Sequence, residues 1–123
     1  MALAGVLVQK QGALGFIPAS LVRAIRYDCV VTPYPGTELG MTLFAGRVIP
    51  VLNLGDGGRA LIVCDLDGEL VGVSGLEPIQ SGLFDGDEQG ARHDHVLVPI
   101  LNIQEQLEQW RAPRPTQEDP WLT

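Results

Sequence analysis

Apolar positions in this chain come in short runs separated by polar or turn-forming residues, many of them glycine and proline. Residues Ala4–Val8 predict a first strand, with a turn at Gly12 and a return through Phe16 and Ile17. Pro18 suits the start of a helix, and Leu21, Val22 and Ile25 supply an apolar face at helical spacing. A β-branched run over Tyr27–Thr32 predicts another strand. Pro33-Tyr34-Pro35-Gly36 predicts a hard loop, since two prolines oppose regular structure. Met41–Phe44 and Arg47–Leu54 predict two strands that meet near Gly46. Gly55-Asp56-Gly57-Gly58 reads as a turn and Ala60–Leu66 as a fully buried strand. Asp67-Gly68 is a strong hairpin signal, because both residues tolerate positive φ, and it returns the chain through Glu69–Ser74.

The polar, glycine-rich stretch Ser81–Ala91 predicts a mobile loop. His95–Leu101 predicts a last strand. Asn102 then caps a helix with Glu105 three residues on, and Ile103, Leu107 and Trp110 form its apolar stripe. Residues 112–123 are proline-rich and polar and read as a tail beyond a domain spanning 1–111.

One stretch stands out. Between Gly46 and Gly55, Val48, Ile49, Val51, Leu52 and Leu54 are interrupted only by Pro50 and Asn53. The run is too short to span a membrane. A proline inside it points to an edge or a bend, as in the strand of a small barrel. The later run VLVPILNI echoes VIPVLNL, which two related barrel halves would produce.

Composition supports a mostly β protein. The chain has 123 residues, 46% of them hydrophobic, with Gly 15 and Pro 9. The formal net charge of −7, with eight scattered cations, argues against a nucleic-acid partner. The N-terminus lacks a basic segment followed by a long apolar one, so the sequence reads as a soluble cytoplasmic protein. Cys29 and Cys64 sit in apolar runs and read as core thiols.

Chemistry-bearing clusters are few. His93 and His95 would share one face of a strand, but further ligands at metal-site spacing are missing. A small metal-dependent enzyme centred on them is thus the weakest of the functional readings. Asp85, Asp87 and Gly90 imitate the opening of a calcium loop, yet its twelfth position is Val96 instead of glutamate. The Gly55–Gly58 segment lacks the Gly-Lys-Ser/Thr ending of a phosphate loop. Ser20, Ser74 and Ser81 sit in no nucleophile elbow. No cofactor, metal or catalytic residue is expected. Tyr34, Leu39, Met41 and Phe44 lie near the rigid proline loop and read either as ordinary core or as an adaptable binding face.

The segment LVRAIRYDCVVTPYPGTELGMTLFAGRVIPVLNLG resembles the chemotaxis coupling-protein (CheW-like) family. Gly46, Val48, Ile49, Pro50, Val51 and Leu54 match its signature strand. Asp67-Gly68, and Val96–Ile103 with the helix after it, resemble later parts of the family pattern. The resemblance implies two small SH3-like five-stranded barrels, with room in this short chain for a reduced second one, a short helix in the N-terminal half and another at the C-terminus. It also implies a non-enzymatic adaptor that couples chemoreceptor tips to a CheA-type histidine kinase. The expected contact residues are Tyr34, Met41, Phe44, Arg47, Val48, Ile49 and Val51. The family's Arg-Gly is Ala45-Gly46 here, with Arg47 on the far side of the glycine. That departure motivates an alternative, a divergent module that has changed partners and regulates motility or polarity.

Overall fold

Among the described residues, eleven strands and one helix follow in chain order: β1 (Ala2–Lys10), β2 (Ala13–Pro18), β3 (Val22–Tyr27), β4 (Thr32–Pro33), β5 (Gly40–Phe44), β6 (Arg47–Asn53), β7 (Ala60–Leu66), β8 (Glu69–Ser74), β9 (Glu77–Asp87), β10 (Gly90–His93), β11 (Val96–Pro99) and α1 (Ile103–Arg111). This computed structural model describes residues 1–55 and 58–111. The expected tail at 112–123, and residues 56–57 of the expected turn, lie outside the described residues.

The strands form two sheets. One has five strands in the order β11-β10-β9-β1-β2, and the other has six in the order β3-β7-β8-β6-β5-β4. The five-stranded sheet nearly closes on itself. Phe16 of β2 bridges Ile100, and the Leu101 amide donates to the Phe16 carbonyl at 2.9 Å. Its interior is filled by Leu7, Phe16, Phe84, Ala91 and Val98. Phe16 and Phe84 meet edge to face, with centroids 5.4 Å apart, a favoured arrangement of aromatic quadrupoles. The six-stranded sheet curls around Ile49, Val51, Leu61 and Val63. Between the sheets lies a shared layer that includes Val6, Val8 and Ile17 from one side, and Leu52, Ile62, Cys64, Val71 and Val73 from the other.

Strand alternation explains the shared layer. In β7, Leu61 and Val63 face the interior of their own sheet, while Ile62, Cys64 and Leu66 face the shared layer. Both faces of β7 are buried, so ALIVCDL reads as a continuous apolar run. Helix α1 covers the shared layer with Ile103 and Leu107, which are 1% and 0% exposed. Burying two such side chains contributes on the order of 3–6 kcal/mol. The expected cap is present. The Glu105 amide donates to Asn102 Oδ1 at 3.0 Å, and Asn102 Nδ2 donates to Glu105 Oε2 at 3.2 Å.

Four expectations are corrected. Leu21–Ile25 is not a helix. Pro18–Val22 makes two successive tight turns, with Leu21 and Val22 amides donating to the Pro18 and Ala19 carbonyls, and the chain then enters β3. A bulge at Arg23 lets Val22 pair with Cys64 and Ile25 with Ile62, so residues three apart face one layer and imitate helical spacing. The single strand expected over Tyr27–Thr32 is not formed: β3 ends at Tyr27, Asp28 takes φ 59, and strand resumes only at Thr32 in β4. Pro33 lies in the short edge strand β4, where no further neighbour needs its missing amide.

The mobile loop expected over Ser81–Ala91 is ordered strand, in β9 and β10. Phe84 and Gly86 are buried while Asp85 and Asp87 are exposed, a period-2 pattern hidden by the glycine. A side chain at Gly86 would come within 2.4 Å of the Gly90 carbonyl oxygen and 2.8 Å of Leu3 Cδ1. The interior therefore requires glycine at a position that alternation would assign to an apolar residue. Among the described residues each sheet has at least five strands, the number that the expected five-stranded barrels call for.

A candidate interaction surface on the β5–β6 hairpin

Strands β5 and β6 pair from Gly40↔Val51 to Phe44↔Arg47, joined by Ala45-Gly46. A two-residue connection with both φ angles positive, 50 and 78, is a type I′ turn, whose twist matches that of the strands. Gly46 takes that conformation without strain, whereas Ala45 does not.

Register assigns each side chain to a face. Ile49 and Val51 point into the six-stranded sheet's interior and are 2% and 0% exposed. Thr42, opposite Ile49, is also buried, and its hydroxyl donates to the Val30 carbonyl at 2.7 Å. The other face grades outward from the shared layer. Leu39 and Leu52 are buried in it, Met41 and Pro50 are half-buried, and Leu43 and Val48 stand in solvent. A contiguous apolar row open to water is the usual mark of an interaction site.

The structure thus divides the expected contact residues. Val48 and Met41 share the exposed face. Tyr34 lies on the loop before β5, partly exposed, with its amide donating to the Leu39 carbonyl at 2.9 Å. Phe44 turns toward the interior, packing half-buried against Ile49 and its neighbours. Arg47, exposed and opposite Phe44, belongs to that same interior side at the open end. Ile49 and Val51 face inward, so these two expected contact residues present no exposed side chain on this surface. Leu43 joins Val48 on the exposed face, a placement that only the hairpin register shows.

The histidine pair does not form the expected constellation. His93 ends β10, whereas Asp94 and His95, with φ 48 and 66, make the turn into β11. The two imidazoles therefore do not share a strand face. Among the described residues, no group of three or more His, Cys, Asp or Glu side chains is placed to hold a metal ion. Among them, too, no helix is long and apolar enough to cross a membrane.

A solved structure of similar architecture is the scaffolding protein CheW from Thermoanaerobacter tengcongensis. It superimposes with a TM-score of 0.60 at 18% sequence identity, over 83% of this chain and 90% of that chain. No family model matches the sequence, and no curated protein matches it. At that identity the likeness is one of fold, and the chain has the CheW-like fold.

Proposed function

We propose that this protein of CheW-like fold is a non-enzymatic scaffold that couples a chemoreceptor's cytoplasmic tip to a CheA-type histidine kinase in the cytoplasm. The observation that carries the reading is the pairing of that fold with an exposed apolar row on the β5–β6 hairpin, centred on Leu43 and Val48. A scaffold needs a rigid frame and a surface that gains by being covered. Ile49 and Val51 supply the first from the inner face of the strand whose outer face carries Val48. Immobilised protein challenged with the kinase regulatory domain and with the receptor tip tests the reading. Micromolar binding to either one supports it, and binding to neither overturns it.

One observation favours the second reading, a module with changed partners that regulates motility or polarity. The resemblance expects a cation at position 45, but the hairpin tip there carries only the methyl of Ala45. The neighbouring cation, Arg47, faces the interior side of the sheet. Binding to another signalling protein, with the kinase and receptor ignored, decides for this reading.

A further inference from the structure

The open end of the six-stranded sheet carries a basic–aromatic cluster on the face opposite Leu43 and Val48. Arg26 of β3 lies over the Phe44 ring of β5, its Cζ 5.4 Å from the centroid. Arg47 pairs with Phe44 across the hairpin, so its side chain leaves the sheet on the same side. Both arginines are exposed, and neither forms an ion pair with a described residue. By contrast, Arg59 is already engaged by Asp28 at 3.5 Å.

We propose that the Arg26–Phe44–Arg47 cluster is a docking site for an acidic peptide segment of a protein partner. Charge argues for this occupant. The chain carries 15 carboxylates against 8 Lys and Arg, so two guanidinium groups on the side of the sheet that carries the Phe44 ring, with no ion-pair partner among the described residues, suit an occupant of opposite charge. Geometry argues for it too. Stacking engages the flat face of a guanidinium and leaves its in-plane N–H groups to bind a carboxylate in a fork. Only one of these is used within the chain, by a long contact of 3.4 Å from Nη1 to the Ile25 carbonyl. The ring also restrains Arg26, which lowers the entropic cost of ordering it on binding. Phe44 is itself held by Ile49, Val51, Leu61 and Val63, so the platform is rigid. The site stands apart from the apolar row and does not depend on the coupling function.

The probe is a labelled hexaglutamate peptide, titrated into the full chain at roughly physiological salt, where long-range repulsion is largely screened. Fluorescence anisotropy reads affinity, and the Nε–Hε signals of the arginines read location. The expected result is that the Arg26 and Arg47 signals shift, and that the R26Q/R47Q pair weakens binding by about tenfold or more, as loss of two charge-assisted hydrogen bonds implies. R26K, which keeps the charge but not the stacked fork, weakens it by a smaller factor. R23Q, from the same strand, leaves binding unchanged. Thermal melts of each variant establish that it folds. Absence of binding, or equal loss on R23Q, overturns the proposal. So does a larger response of the same signals to inorganic phosphate. If R26Q/R47Q instead dissolves a dimer seen in sedimentation, the occupant is a second copy and the proposal also fails.

Discussion

Leu43 and Val48 stand directly opposite each other across the β5–β6 hairpin, 69% and 65% exposed. One position along β6, Ile49 is 2% exposed. Adjacent residues in one strand thus carry opposite burdens. Replacing Leu43 and Val48 together by serine is expected to change folding stability by less than ~1 kcal/mol while weakening partner capture. Ile49→Ala is expected to cost about 2–5 kcal/mol of stability. Urea melts beside a pulldown check the separation. A large stability loss in the serine pair would mean that the row is packed instead of free.

The turn that joins these strands is strained at Ala45, which takes φ 50 where asparagine or glycine is favoured. Ala45→Asn is expected to stabilise the protein by about 1 kcal/mol, and Ala45→Val to destabilise it by at least that much. Thermal unfolding measures both. A lower melting temperature for the asparagine variant would contradict a type I′ turn here.

Helix α1 depends on the reciprocal bonds between Asn102 and Glu105. Asn102→Ala is expected to cost about 1 kcal/mol and Glu105→Ala less, because the first leaves a backbone amide without its acceptor. Hydrogen exchange should show the loss first at the amides of the first turn of α1. Unchanged exchange there would exclude the cap as a source of stability.

Burial pushes the Cys64 thiol up to about 12 from 9.0. The folded state then holds a proton that the unfolded state releases above pH 9, so stability falls as pH rises through that window, by up to ~1.4 kcal/mol per unit. Cys64→Ala is expected to flatten the alkaline limb of the stability curve while lowering stability at neutral pH. A thiol reagent at pH 8 should modify the half-buried Cys29 first and reach Cys64 on unfolding. Early labelling of Cys64 would show that the shared layer opens locally.

Gly86 has no room for a side chain, since the nearest obstacle is the Gly90 backbone. Gly86→Ala is therefore expected to destabilise the β9–β10 region by at least ~2 kcal/mol, because backbone oxygen cannot move aside as a flexible side chain does. Denaturant titration tests this, and a neutral result would require a different path for β9.

Much of the architecture is legible in residue order, because local patterns carry it. The Asp67-Gly68 turn, the doubly buried β7, the capped α1 and the strand pair around Gly46 follow from turn chemistry and alternation. Those are interactions between residues close in sequence. Two of the misreadings share one cause. At β3 a bulge, and at β9 an interior glycine, alter what alternation looks like, and only the partner strand shows it. The same holds for function. The run from Val48 to Leu54 determined by itself that this region is a strand. Which of its side chains meet solvent was decided by the register with β5 and by the shared layer between the sheets. Likewise, nothing local joins Arg26 to Phe44. The curl of the six-stranded sheet brings them together, because burying Ile49, Val51, Leu61 and Val63 requires the sheet to wrap around them.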